Sequence, residues 1–390
     1  MANWSNWSGA LSAKPQDIHF LRSEDDAQAL AAAASTDERR IRVAGACHSH
    51  APLVQHGDII ADAQGLAGVI STDSEALTAW VAAGTRIYAL GRPLHAAGLA
   101  LQNQGDIDQQ AICGATATGT HGTGTGLRNL SAGVIGASIA LASGELVTCD
   151  AQHNSELWQA SRLHLGAFGI VTRLQLQLRQ AYRLQESTWQ ANLDDALTQF
   201  AQHAGENRHH EFFWYPQTDQ ATCKSINETN AEPVYPLAEE GERCGWSYEV
   251  LPNHRPHKHT EMEYSVPAAA GPECMDDIRR LLAARFTDVA WPVEYRTLAA
   301  DDVWLSTAYE RPTVTISVHQ DIREDDEPYF RACEEIFLAY EGRPHWGKVN
   351  YLSGQQLAER HPRWADWWRV RDSVDPQGTF LNDYLQSIRD

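Results

Sequence analysis

Five short stretches of this 390-residue chain carry residue types that could do chemistry. The first, GATATGTHGTGTG, runs from Gly114 to Gly126 and interleaves glycines (Gly114, Gly119, Gly122) with threonines (Thr116, Thr118, Thr120) around a single His121. Glycine loses more conformational entropy on folding than any other residue, so such a run needs a reason. Main-chain N–H groups closing on a phosphate supply one. The run is not a Walker A loop, because no Gly-Lys-Ser/Thr closes it and it contains no lysine. Nor is it a Rossmann fingerprint, because the residues after it read as loop then strand, not as an apolar helix. Interleaved hydroxyls and the apolar strands expected on both sides favour a buried, ligand-facing loop over a surface loop.

The second stretch is RVAGACHSHAPL, residues 42–53. A strand containing Arg42 ends at Gly45, and a small-residue turn (Ala46 onward) presents Cys47, His48, Ser49 and His50. Zinc takes Cys and His ligands, but adjacent residues cannot all face one ion and no second Cys/His pair stands downstream at ligand spacing. No metal site is expected, and His50 reads as a surface histidine. The third stretch, PVEYR, puts Glu294 and Arg296 two apart on an expected strand and so on one face. A carboxylate beside a guanidinium can hold hydroxyls while a fixed cation stabilises a developing oxyanion. The alternative is an exposed ion pair worth about 0–1 kcal/mol. In the fourth, TISVHQ, Ser317 and His319 share a face, and His319 is either a proton acceptor or a packed core histidine. In the fifth, GRPHWGK, Pro344 fixes φ and Gly347 allows a tight backbone, so His345 and Lys348 are placed closely.

Composition narrows the setting. Hydrophobic residues make up 43% and charged residues 21%, ordinary for a globular protein, and the length allows two or three domains. A formal net charge of −20 argues against nucleic acid and anionic membrane surfaces as partners. The opening MANWSNWSGALSAKPQ lacks a basic region followed by an apolar one, so no signal peptide is expected, and no apolar run suggests a membrane span. Seven scattered cysteines with no C-x-x-C pair point to a reduced, cytoplasmic protein.

The elements that must position these residues fall into two textures. Up to Arg179, short strands alternate with helices. EDDAQALAAAAS and RIYALGRPLHAAGLA read as helices, RIRVAG, GDIIAD, GVISTD and LTAWVAAG as strands, and residues 133–150 as two strands turning at Ser143-Gly144. SELWQASRLHLGAFG reads as a helix ending on Gly169, with Ile170 and Val171 opening the next strand. Beyond 180 come HEFFWYP, WPVEYRTL and TVTISVHQ as strands and MDDIRRLLAARF and EPYFRACEEIFLAY as helices. Cys113, beside the Gly/Thr run, reads as a core residue.

Taken together, VAGACHSHAP, GDIDQQAICGATATGTHGTG, PVEYR, GRPHWGK and DPQGTFLNDYL resemble the vanillyl-alcohol-oxidase-type flavoproteins, in their aldonolactone oxidase and alditol oxidase branch. The resemblance covers nearly the whole chain. It implies an α+β fold: a two-subdomain FAD-binding domain of the PCMH type over residues 1–179, a cap domain with a large antiparallel sheet over 180–345, and a return to the FAD domain over 346–390. It implies FAD, with its pyrophosphate on the Gly/Thr loop and a covalent link through His48, and cofactor contacts extending to Gly105, Asp106, Gly169, Ile170, Val171, His345 and Asn382. It assigns Glu294 to substrate hydroxyls, Arg296 to the reacting oxygen or reduced flavin, and Lys348 to a place beside the reacting carbon. The implied reaction oxidises a sugar-derived alcohol with O2 as acceptor and H2O2 as product. Aldono-1,4-lactones lead as substrates; a linear polyol, or a dehydrogenase using another acceptor, is the alternative. Asp106, where some polyol-oxidising relatives have Ser, tilts the reading toward lactones. The resemblance also places Gly105 beside the reactive flavin edge, where lactone oxidases carry Gly and the poorly O2-reactive plant dehydrogenase carries Ala. Cys47 and His50 stand where the branch usually has Gly and an aromatic residue.

Overall fold

The structure, a computed structural model, describes residues 3–389. Near the N-terminus a parallel sheet forms from Asp17–Phe20, Ile59–Asp62 and Ile41–Ala44, with Ile59–Asp62 in the centre. The helix Glu24–Thr36 joins the outer two. Its start is set by the Ser23 side chain, which accepts from the amide of Asp26, and by Glu24, Asp25 and Asp26 in the first turn. Its buried face is Ala27, Ala31 and Ala34, at the i, i+4, i+7 spacing of a helical stripe. A five-stranded antiparallel sheet comes next, in the order Leu146–Asp150, Val134–Ala140, Ile170–Gln177, Thr78–Ala82, Val69–Asp73. Leu146–Asp150 and Val134–Ala140 pair as the hairpin the sequence suggests, with Gly144 at φ +84 in its turn.

The remainder builds one eight-stranded antiparallel sheet, ordered Cys244–Trp246, Arg183–Asn192, Gln220–Glu228, His209–Tyr215, Val293–Leu298, Thr313–Asp321, His259–Pro267, Arg343–Pro344. Period-2 alternation explains its two faces. Phe212, Tyr295, Ile316 and Met262 point one way and are fully buried beneath the helices Leu193–Glu206, Gly271–Arg285 and Glu327–Ala339. Phe200 of the first helix meets Tyr295 edge-on, and Phe212 stacks on Tyr295 at 4.8 Å. The intervening residues (Glu211, Glu294, Arg296, Ser317, His319, Glu261, Glu263) share the opposite face and are buried too. A polar sheet face without solvent needs internal partners, and these make the site.

Several expectations are corrected. The helix read over 155–169 stops at Ser161. Leu165 and Gly166 then take positive φ and offer their carbonyls to Arg42, which a continuing helix could not do. The helix Ile87–Ala96 ends where Gly98 turns at φ +76, and Leu99–Ala100 is a short strand. The Gly/Thr run has no strand on its N-terminal side. Its first residues belong to the short helix Ile112–Ala117, and residues 101–110, including Gly105, are irregular.

Candidate functional site

A cavity of about 1210 Å³ lies between the polar face of the large sheet and the two smaller sheets, larger than the roughly 300–1,000 Å³ of ordinary small-molecule sites. One wall is the turn after Ile41–Ala44. Gly45 must be Gly, because a Cβ there would stand 2.8 Å from Ala111 Cβ. Cys47 holds φ +57, which swings His48 into the cavity. The N-terminal NWSNWSG segment clamps this turn: Trp7 N–H donates to Cys47 O at 2.7 Å, Asn6 Nδ2 to Ser49 O at 3.0 Å, and the Trp7 ring stacks on His48 at 5.3 Å. Ser49 Oγ and His50 N–H both donate to Gly347 O, stitching the turn to the GRPHWGK segment. Among the described residues, the amides of Ala46, Cys47, His48 and Ser49 find no acceptor. A row of free amides, with Gly114, Thr118 and Thr120 on the adjoining wall, fits a large anionic group such as FAD.

His50 is corrected: it is 7% exposed, and burial with Lys348 nearby holds its imidazole well below the usual range. Burial and the Arg86 charge likewise pull His48 down to about 4, so its ring is neutral. Cys113 packs against the core, half-buried, and also borders the cavity; its Sγ lies 3.3 Å from His164 Nε2. Burial pushes its thiol up to about 12.

On the sheet, register sets the reacting groups. Glu294 pairs with Ser317 and Ser317 with Glu263; Glu261 pairs with His319. Glu263 Oε2 accepts from Arg296 Nη2 at 2.7 Å and Ser317 Oγ at 2.6 Å, while Oε1 faces His121 Nε2 at 2.7 Å. Burial opposes ionisation of Glu263, but His121 and Arg296 overcome it and hold the carboxyl well below its usual range. Glu294 lies 3.0 Å from the same Nη2. Here burial wins. With Glu211, Asp106 and Glu261 also repelling a second charge, Glu294 rises to about 8. His319 Nδ1 donates to Pro292 O at 2.8 Å, so its Nε2 carries the lone pair, 3.6 Å from Glu261 Oε1. Burial lowers His319 to about 4. Lys348 pairs with Glu261. The amide of Gly347 donates to His345 Nδ1 at 3.0 Å, and burial lowers His345 to about 3.

Asp106 is committed to the segment that follows the large sheet's edge helix, residues 252–257. It accepts from Arg255 Nε at 2.8 Å and from the Asn253 side chain, and its carbonyl accepts from Asn253 N–H at 2.6 Å. Lys224 adds a charge 3.7 Å away and pairs with Glu211 at 2.6 Å. Asp106 thus ties the 252–257 segment over the cavity.

Of the residues singled out in the sequence, Arg42, Gly45, Ala46, Cys47, His48, Ser49, Gly105, Asp106, Gly114, Thr118, Thr120, His121, Val171, Glu294, Arg296, His319, His345 and Lys348 all line this cavity. Thr116, Gly119, Gly122, Gly169, Ile170 and Asn382 stand behind it. The Thr116 hydroxyl donates to Ile112 O and Cys113 O of its own helix. Gly119 and Gly169 take positive φ against Leu163 and Ala140, Gly122 packs on Gln104 and Asn103, and Ile170 joins the core beneath Glu24–Thr36. Asn382 clasps Pro52 O and Gln55 O. Arg42 faces the cavity, but its guanidinium is used on the carbonyls of Leu53, Leu165, Gly166 and Phe380. Sequence reading missed Glu261, Glu263, Glu211 and Lys224. HTEMEYSVP, with Glu alternating with Met and Tyr, carried the strand signal for the first two.

Residues 174–242 and 234–388 match the family model of D-arabinono-1,4-lactone oxidase, and residues 15–150 match that of the FAD binding domain. Over 99% of this chain and 98% of the relative, it is 33% identical to L-gulono-1,4-lactone dehydrogenase of Mycobacterium tuberculosis. It is 27% identical to the alditol oxidase of a Streptomyces species, over 99% of each chain. The cholesterol oxidase of Brevibacterium sterolicum superposes with a TM-score of 0.87 at 17% identity, covering 100% of this chain and 97% of that one. That likeness carries the fold, a PCMH-type FAD-binding domain with a sheet-bearing cap. The chain belongs to the aldonolactone oxidase and alditol oxidase branch of the FAD-binding oxidoreductases.

Proposed function

We propose that this flavoprotein oxidises a secondary alcohol of an aldono-1,4-lactone, with O2 as electron acceptor and H2O2 as product, and that its FAD is bound covalently through His48. The observation that carries this reading is the convergence on a cavity of FAD size of Glu294, Arg296 and His319, from one buried sheet face, with the half-buried Lys348 of the GRPHWGK segment beside them. FAD supplies the hydride acceptor, and the protein supplies orientation and charge. Ala46, His48 and Ser49 of the first wall and Gly114, Thr118 and Thr120 of the second would hold it.

The chain's own groups divide the remaining work. Arg296, paired with Glu263, lends positive charge to the oxygen borne by the carbon that gives up hydride. His319 Nε2, with Nδ1 committed to Pro292, is a neutral base placed to take the hydroxyl proton. Lys348 lowers the energy of the resulting alkoxide by its charge. Glu294, protonated below about pH 8, donates to one substrate hydroxyl and accepts from another without adding a charge. Asp106, already committed to Arg255 and Asn253, closes the roof. The names of the matching family model and of the M. tuberculosis relative favour the lactone, while the latter keeps a non-O2 acceptor as the second reading.

A substrate panel scored by anaerobic flavin bleaching tests the first half. Faster bleaching by xylitol than by L-gulono-1,4-lactone would reverse the substrate class. Stopped-flow reoxidation tests the second: reduced enzyme that reacts slowly with O2 and quickly with a dye is a dehydrogenase. Acid precipitation tests the linkage, since a covalent flavin stays in the wild-type pellet and leaves it in His48→Ala.

A further inference from the structure

A second cavity, of about 20 Å³, is bounded in part by Gln104, Gly105, His209, Glu211, Lys224 and Arg296. One water needs roughly 10–15 Å³ and two to four polar partners. Three side chains of this wall each carry a buried polar atom with no partner among the described residues: Gln104 Nε2, His209 Nε2 and Arg296 Nε. Their chemistry is complementary. Gln104 Nε2 and Arg296 Nε are donors only. His209 Nδ1 lies 2.9 Å from Thr123 O, an acceptor, so Nδ1 holds the ring proton and Nε2 presents a lone pair. Burial lowers His209 to about 3 and keeps the ring neutral. Two donors and one acceptor leave room for one further acceptor around a tetrahedral water. The register that pairs Phe212 with Tyr295 and Phe213 with Glu294 brings the Glu211 carboxylate beside Arg296, and His209 lies on the same face.

We infer that one buried water bridges Arg296 Nε, Gln104 Nε2 and His209 Nε2, and that His209 is thereby a positioning residue for the Arg296 guanidinium. The need for it arises from the ion pairs. Glu263 and Glu294 both hold Arg296 through the same nitrogen, Nη2. One anchored atom leaves the guanidinium plane free to turn. A second anchor at Nε fixes the plane and leaves Nη1 aimed at the substrate oxygen. This role rests on the reading of Arg296 in the proposed reaction; the water itself does not.

Two measurements separate these. A high-resolution crystal structure of the holoenzyme should show a water within about 3.2 Å of both Arg296 Nε and His209 Nε2. Density for no water there overturns the bridge. For the role, His209→Leu should slow anaerobic flavin reduction by about tenfold, less than the roughly hundredfold cost of a full 1 Å misplacement, with FAD content and KM nearly unchanged. His209→Gln, which restores an acceptor, should recover most of the rate. In an Arg296→Lys background the His209→Leu change should cost nothing more. Equal losses in both backgrounds would make His209 merely structural and overturn the role. If Arg296→Lys alone reduces flavin at the wild-type rate, the assignment of Arg296 fails and the positioning role with it, while the crystallographic water still decides the bridge. Should His209→Leu not fold, Gln104→Leu removes a donor from the same water and carries the same expectations.

Discussion

Glu294 offers the sharpest test, because its proton is held by the fold. Burial and the neighbouring carboxylates of Glu211, Asp106 and Glu261 raise it from 4.5 to about 8. At about 1.4 kcal/mol per pH unit, the ionised form is disfavoured in the native state by on the order of 5 kcal/mol. The sign depends on which state keeps the proton. Below 4.5 both native and unfolded chains hold it and the contribution to stability is full. Between 4.5 and about 8 the unfolded chain has lost the proton and the native one has not, so stability drains away as pH rises. Glu294→Gln imitates the protonated acid at every pH. The stability difference between the variant and wild type should therefore widen in favour of Gln from pH 5 to pH 8, by up to about 1.4 kcal/mol per unit, and stop widening above that. Denaturant unfolding at four pH values reads it. The same group should give wild type an alkaline fall in kcat/KM near pH 8 that the Gln variant lacks, while keeping activity within about tenfold at neutral pH. A pH-independent stability difference, or an alkaline limb that survives in Glu294→Gln, would refute the reasoning.

Three further outcomes are expected from the same contacts. Glu263→Gln strips Arg296 of its ionised partner, so the protein should lose about 3–5 kcal/mol in urea unfolding, and the alkaline limb of Glu294 should move to lower pH as Arg296 turns to it. Arg42→Met leaves the carbonyls of Leu53, Leu165, Gly166 and Phe380 unpaired, and denaturant unfolding should register a loss on the order of 3 kcal/mol. In Gly105→Ala the new methyl meets Thr120 Cγ2 at 3.2 Å and His121 O at 3.3 Å, a fit needing shifts of a few tenths of an ångström. Stopped flow should show the variant reduced by substrate at the wild-type rate but reoxidised by O2 far more slowly; equal loss of both rates would rule out an oxygen gate.

Local pattern exposed some of this site and hid the rest. Glu294, Arg296, Ser317 and His319 were legible because two residues apart on a strand means one face, whatever lies around it. The turn at 45–49 was legible because Gly and small residues between a strand and two histidines have few other uses. His50 was not, since only the distant Gly347 carbonyl and the cover of residues near Lys348 take it from surface to interior. Arg42 could be placed in the cavity but not understood. The carbonyls it joins lie 11 to 338 residues away, and no sequence window contains them. The helix expected over 155–169 failed for the same reason: its last residues serve Arg42, a tertiary demand that outweighs helical pattern.

The deepest gap concerns Glu263, and it explains the chemistry of its neighbour. Two carboxylates, Glu263 and Glu294, compete for one arginine on one buried face. Were they equivalent, they would share one proton between them, and neither would be a fixed ion or a dedicated acid. They are not equivalent, because Glu263 also has His121 at 2.7 Å and Ser317 at 2.6 Å, whereas Glu294 faces three other acids. Glu263 therefore takes the negative charge and satisfies Arg296, which frees Glu294 to remain an acid. Such separation of paired carboxylates by environment is how one site comes to hold a fixed ion and a protonated donor at the same pH. His121 thus acts in this site through Glu263: the central histidine of the Gly/Thr run, which in the sequence looked like part of a phosphate loop, reaches across to the large sheet and decides which of its two glutamates is charged.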